Sequence, residues 1–186
     1  MKKIVFLLIA AVIWVSACQK IKSIANINFK IPFSQSVSVP DVAGYPSGAV
    51  LPAGGLNLPF PPVTVATNTQ QYFDQYHASS KNLIAADLND ADIMITAPPG
   101  QNFNFLDSIQ IFVSSETVPE ILIAYLFDVP KGVTKINLVV VPGQDLKRYV
   151  VKDSITMRLK AHVNALPFAG TELQTEGAFH VTANPL

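Results

Sequence analysis

From Ile27 the chain alternates apolar and polar residues for a full strand length. Ile27, Phe29, Ile31 and Phe33 take one side; Asn28, Lys30, Pro32 and Ser34 take the other. Successive side chains of a strand point to opposite faces, so this pattern predicts a β-strand that buries four large apolar groups on one face. Pro32 cannot donate a ladder hydrogen bond, which confines the strand to a sheet edge or a bulge. Val37 and Val39 keep the odd-numbered register past a kink expected near Gln35.

The C-terminal half repeats the pattern between turn signals. Ala91, Ile93, Ile95 and Ala97 alternate before Pro98-Pro99-Gly100; Ile109, Ile111 and Val113 alternate after a bend at Phe103-Asn104-Phe105. Strands are also expected over Glu120 to Leu126 and from Val133 to Val141, between Pro130 and Pro142. Asp145 to Val150 reads as one helical turn, with Tyr149 as a peg where the chain crosses between sheets, an echo of the tyrosine corner of immunoglobulin-like sandwiches. Ile155, Met157, Leu159, Ala161, Val163 and Ala165 share one face of the next strand. With Leu166 to Gly170 as its loop, the pattern predicts a terminal hairpin in which Leu173 meets Val163 and Glu176 meets Lys160. Seven to nine short strands, no long helix and this turn spacing predict an all-β fold: an antiparallel β-sandwich of immunoglobulin-like character, one domain over residues 27–186.

Two segments depart from the strand rhythm. Residues 40–62 hold six prolines and four glycines with no period, and predict a long loop. Val50, Leu51, Leu56, Leu58 and Phe60 make it too apolar for a solvated linker, leaving a loop folded over an open end of the core or a flap that touches ligand or membrane. Val63 and Val65 then predict a short strand. Asn68 or Thr69 would cap a brief helix that places Tyr72, Phe73 and Tyr76 on one face, as a plug on the sandwich or as a stacking platform for sugar.

The N-terminus has a different pattern. Lys2 and Lys3 precede an unbroken apolar run from Ile4 to Val15, then Val15-Ser16-Ala17-Cys18. A basic start, about a dozen apolar residues and small residues before a cut site make a secretory signal too short to span a membrane. Val15-Ser16-Ala17-Cys18 resembles the bacterial lipobox. That resemblance implies removal of residues 1–17 and acylation of Cys18, with residues 18–26 as a lipid-anchored tether. At about 0.8 kcal/mol per buried CH₂, two or three acyl chains on Cys18 would hold the protein in the membrane permanently. Cys18 is the single cysteine, so no thiol remains for a disulfide, nucleophile or metal.

Processing removes two of thirteen basic side chains against thirteen acidic ones, leaving a mature net charge near −2. With no basic run longer than Lys147-Arg148, nucleic acid is excluded as an expected partner. His162 and His180, in the predicted hairpin register, stand roughly 20 Å apart at about 3.3 Å per residue, too far to share a metal. Asp87-Leu88-Asn89-Asp90-Ala91-Asp92 is the one acidic cluster. Read as a calcium loop it puts Ala91 in a ligand position, Asp92 where glycine makes the turn and Pro98 where the closing glutamate belongs, so it reads as a turn and a solvated strand start. No Gly-x-Ser-x-Gly elbow or phosphate-cradling glycine loop occurs, and nothing marks Glu116, Glu120 or Asp128 as acid and base. The chain reads as non-enzymatic, with no metal and no cofactor.

Three further segments carry a wider resemblance: Phe103-Asn104-Phe105-Leu106-Asp107-Ser108-Ile109, the Pro130-Lys131-Gly132-Val133-Thr134 turn, and Asp145 to Tyr149 followed by Lys152-Asp153-Ser154-Ile155-Thr156-Met157-Arg158. In these the chain resembles uncharacterised β-sandwich lipoproteins of the Bacteroidetes type, which implies a fold and a compartment but no activity and no site residues. In that group an acidic run after the cysteine accompanies export to the cell surface. Here Gln19-Lys20-Ile21-Lys22-Ser23 is basic, which implies an outer-membrane anchor facing the periplasm. Nine residues from Cys18 to Ile27 reach at most about 32 Å, holding the domain near its membrane. The expected function is a non-enzymatic, lipid-anchored envelope protein that binds another envelope component. The alternative is a surface-exposed, adhesin-like or glycan-binding lipoprotein with Tyr72, Phe73, Tyr76 and the 40–62 loop as its contact.

Overall fold

The structure, a computed structural model, describes residues 26–42, 45–46, 49, 51–58 and 60–186. The signal segment, Cys18, all of the tether but Asn26, Val50 and Pro59 lie outside the described residues. Ten strands and two short α-helices follow in order: β1 (Ile27–Ser38), β2 (Leu56–Leu58), β3 (Val63–Ala66), α1 (Thr69–Gln75), β4 (Leu83–Ala97), β5 (Leu106–Ser115), β6 (Val118–Phe127), β7 (Lys135–Asn137), β8 (Val139–Val140), α2 (Lys147–Val150), β9 (Ser154–Val163) and β10 (Glu172–Ala183). They form two antiparallel sheets packed face to face, an all-β sandwich. One sheet has four strands in the order β1-β10-β4-β7; the other has six, β2-β9-β5-β6-β8, with β3 also pairing β9.

The alternating strands supply the core. Ile31, Ile93, Phe179 and Val181 project from the four-stranded sheet, and Ile109, Ile111, Val113, Ile155 and Val163 from the six-stranded one, all fully buried. β1 is an edge strand, as Pro32 requires, and its register with β10 runs unbroken from Ile27↔Ala183 to Ser38↔Glu172. The kink expected near Gln35 therefore leaves the pairing intact. The 40–62 loop buries Leu51, Leu58 and Phe60 and contributes β2, so it folds over the core.

Three expectations are corrected. β9 and β10 are not a hairpin: β9 pairs β2, β3 and β5, whereas β10 pairs β1 and β4. Each strand buries its apolar face from opposite sides of one core, and the connection arches from sheet to sheet. Lys160 therefore faces Gln110, while Glu176 faces Ser34 and Asp92. Val133 to Val141 is likewise not one strand. β7 pairs β4 and β8 pairs β6, with buried Leu138 between them where the chain changes sheets. Finally, Asp87 to Asp92 lies inside β4, and a register shift opposite Ala178 and Phe179 leaves Asn89 as the extra residue of a bulge.

The sandwich has two distinct ends. At one, β1 begins beside the end of β10, Asn184 N–H donates to Asn82 O at 2.9 Å, and α1 packs Phe73 on Phe29. The helix takes its N-terminal cap from another segment: Asp153 Oδ1 accepts from Gln70 N–H at 2.9 Å, and Thr67 and Thr69 hydroxyls both reach Lys152 O. Asn68 occupies the N-cap position, but in the left-handed region and with no side-chain cap bond. Tyr149, buried on α2, donates its hydroxyl to Pro119 O at 2.7 Å, the peg its sequence context predicts. At the other end β1 stops, β5 begins and the β9–β10 arch crosses. Lys131 Nζ there donates to Leu106 O and Asp107 Oδ1, both at 3.0 Å, and Gly132 N–H donates to Asn104 Oδ1 at 2.6 Å.

Candidate functional site

The aromatic residues singled out from sequence come together, and mostly inward. Phe73 is 2% exposed. Tyr76 stacks on Phe29 at 4.8 Å with 11° between ring planes, and Tyr72 is half-buried against the core. Phe73 offers no face to a ligand, and the stacked face of Tyr76 is occupied by Phe29. His162 and His180 lie on different sheets, and among the described residues no group of three His, Cys, Asp or Glu is placed to hold a metal ion. The acidic stretch of β4 is matched by bases: Asp92 to Lys135 at 2.7 Å, Asp87 to His180 at 3.8 Å and Asp90 to Lys30 at 3.9 Å.

The outer face of the six-stranded sheet has a different character. Strand pairing places its outward side chains in rows. Asn57, His162, Ser108 and Phe127 form one; Lys160, Gln110, Tyr125 and Val139 the next; Arg158, Phe112 and Leu122 the third. Neighbouring strands are about 4.8 Å apart and outward residues repeat about every 6.7 Å, so the face is a near-planar lattice. Read along the strands, it has an apolar column on β6, a mainly polar column on β5 and a cationic column on β9. Phe127 is 54% and Val139 47% exposed, and the Tyr125 and Phe127 rings lie 5.1 Å apart at 39°. A bulge at Ile123 creates this arrangement: Ile111 opposes Ala124 but Phe112 opposes Leu122, so Ile123 and Ala124 are both buried while Tyr125 and Phe127 turn outward.

The cations on this face are not equivalent. Arg158 donates to both oxygens of Glu120, Nε to Oε2 at 2.8 Å and Nη2 to Oε1 at 2.5 Å, and its guanidinium lies 4.7 Å over the Phe112 ring. These hydrogen bonds hold the Glu120 carboxyl below its ordinary pKa and Arg158 above its own. His162 Nδ1 and Asn57 Oδ1 share a hydrogen bond at 3.3 Å. Lys160 is exposed and takes part in no ion pair among the described residues. The face thus offers rings, amide and hydroxyl groups and one uncompensated ammonium on a single plane.

A second concave feature lies at the end where β1 stops. Val39, Val42, Tyr45, Leu166 and Phe168 border a cavity of about 240 Å³. Phe168 is 56% exposed on a fixed backbone: its N–H donates to Gln101 Oε1 at 2.9 Å, and its carbonyl accepts from the Thr171 hydroxyl at 2.7 Å. That volume is below the roughly 300 Å³ at which small-molecule sites begin.

No protein-family model matches the chain, and neither the curated proteins nor the solved structures contain a significant match to it. The assignment of a role therefore rests on the surfaces themselves. Sequence reasoning missed Tyr125, Phe127 and Val139 because they fall inside segments that read as continuous apolar strand. The available signal was the alternation of Arg158, Lys160 and His162 on β9, which marks a solvated face that its neighbours must share.

Proposed function

We propose that this is a lipid-anchored cell-envelope protein whose β-sandwich works by binding and not by catalysis. The observation that carries the reading is the outer face of the six-stranded sheet, where exposed aromatic side chains stand beside a lysine that the fold leaves uncompensated. Large exposed apolar groups rimmed by polar ones mark interaction surfaces. The ionisable groups support the same reading. Glu120 is displaced downward, and Lys135, Arg158 and Tyr149 upward, each away from neutrality and from the range in which a general acid or base operates. The anchor rests on the lipobox-like Val15-Ser16-Ala17-Cys18, and the placement facing the periplasm on the basic Gln19 to Ser23. Among the described residues no helix is long and apolar enough to cross a membrane. Docking of β1 from Ile27 keeps the tether short, so the domain works within about 32 Å of its lipid.

Metabolic labelling with a radioactive or alkynyl fatty acid tests the anchor. The wild-type chain should incorporate label and shift in mass on processing, and Cys18→Ser should do neither; label retained in Cys18→Ser would overturn the assignment. Protease treatment of intact and permeabilised cells then separates the two orientations: degradation only after permeabilisation is expected, and loss from intact cells would put the domain outside.

A further inference from the structure

The three columns of the six-stranded sheet's outer face run parallel, and that geometry selects the shape of a ligand as well as its chemistry. Phe127, Tyr125 and Leu122 on β6 offer successive apolar steps; Ser108 and Gln110 on β5 offer hydroxyl and amide alongside; Lys160 and His162 on β9 line the far side. The geometry points to an extended acidic polysaccharide, a chain of sugar rings bearing carboxylates, as the ligand of this face. Pyranose rings have C–H faces that pack on aromatic rings, hydroxyls that bond amides and side-chain hydroxyls, and, in uronic acids, a carboxylate that Lys160 would engage by a charge-assisted hydrogen bond. Arg158 is neutralised by Glu120, so Lys160 carries the selection for negative charge.

Two other occupants fit less well. Against a membrane, Gln110, Ser108 and Asn57 would be pressed into hydrocarbon with no partner for their polar groups, which is costly. The Phe127 end of the face also lies at the end of the sandwich away from Ile27, where the tether joins, and β1 alone spans roughly 40 Å at about 3.3 Å per residue. A second copy could offer only the acidic face of the four-stranded sheet, where Asp87, Asp90 and Asp92 already have basic neighbours.

The inference rests on the sandwich being a binding domain and not on the anchor, so acylation of Cys18 and saccharide binding fail independently. The test is affinity electrophoresis of the full-length protein in detergent through native gels containing polygalacturonate or its methyl ester, which keeps the rings and removes the charge. Retardation by polygalacturonate is expected, at least about tenfold weaker with the ester and weakening as salt shortens the Debye length from about 10 Å at 0.1 M toward about 3 Å at 1 M. Tyr125→Ala, Phe127→Ala and Lys160→Gln should each weaken it about threefold to tenfold at unchanged melting temperature. Ser36→Ala on the other sheet should leave it unaltered. Absence of retardation by either polymer, equal retardation by both, or indifference to all three substitutions overturns the inference. So does self-association that Phe127→Ala abolishes, which would give the face to a second copy. A Phe127→Trp protein whose emission shifts to the blue in phosphatidylglycerol but not phosphatidylcholine vesicles would give it to a membrane.

Discussion

The two outer faces of this sandwich are built on the same strand geometry and differ in what their side chains are used for. On the four-stranded sheet, Asp87, Asp90 and Asp92 meet His180, Lys30 and Lys135, and the remaining outward positions are mostly small or hydroxylic: Ser34, Ser36, Ser38, Ala178 and Thr182. On the six-stranded sheet, rings replace the small residues, and Lys160 has no acidic neighbour. A face whose charges are internally matched is complete in water, whereas one that exposes Phe127 and Val139 gains free energy only when something covers them. The difference separates a surface that closes the fold from one available for contact.

The comparison is broken most severely from inside the four-stranded sheet. Gly177 sits on its inner side opposite Phe33, and a Cβ there would come within 2.5 Å of Asp90 O and 2.6 Å of Phe33 Cζ. The close approach, and not backbone conformation, requires glycine. Gly177→Ala should displace the Phe33 ring from Phe179, 5.1 Å away, and cost about 1–3 kcal/mol in urea denaturation. A change below about 0.5 kcal/mol would mean that this edge of the sheet yields without loss. The next largest effect is expected at the helix cap. Asp153→Ala removes the acceptor for Gln70 N–H and should cost about 1 kcal/mol, with increased amide exchange confined to α1.

What was legible in the sequence follows from what periodicity encodes. Alternation in β1 gave its buried face and Pro32 gave its place at the edge, because both are properties of one strand. Pairing is a property of two. β9 and β10 each display an alternating apolar face and lie next to one another in sequence, yet the same pattern serves a hairpin within one sheet and an arch between two, and the apparent match of Lys160 with Glu176 favoured the wrong one. The acidic stretch of β4 was taken for a turn because three aspartates are poor strand formers; cross-strand bases and a bulge at Asn89 accommodate them. Tyr72, Phe73 and Tyr76 were recognised as a cluster, and the partner that explains them, Phe29, lay more than forty residues upstream. The outer aromatic face was hidden by the bulge at Ile123, which shifts the phase of β6 by one residue and turns a run that looks wholly buried into one that is half outward.

The smallest effects sharpen the contrast by titration, since each face has an ion pair that fails at the opposite end of the pH scale. Glu120 has its pKa lowered by its hydrogen bonds to Arg158, so the stability it contributes is present above the ordinary carboxylate value of 4.5 and is lost as pH falls through the lower, folded value. Lys135 has its pKa raised by its hydrogen bond to Asp92, so its contribution is present below 10.5 and disappears as pH rises through the higher, folded value. Solvent-exposed pairs contribute about 0.2–1 kcal/mol, and salt weakens them further. Glu120→Gln should therefore flatten the acid limb of a stability profile measured by urea denaturation and leave the alkaline limb unchanged; Lys135→Met should do the reverse. If Glu120→Gln altered both limbs, Glu120 would be coupled across the core to the other sheet, and the two faces would not be independent surfaces. If it altered neither, the bidentate pair with Arg158 would contribute no measurable stability, and its remaining role would be to neutralise Arg158 on the ligand-facing plane. Lys160 would then act as the sole positive charge there, and Glu120→Gln should strengthen polygalacturonate retardation by releasing a second one.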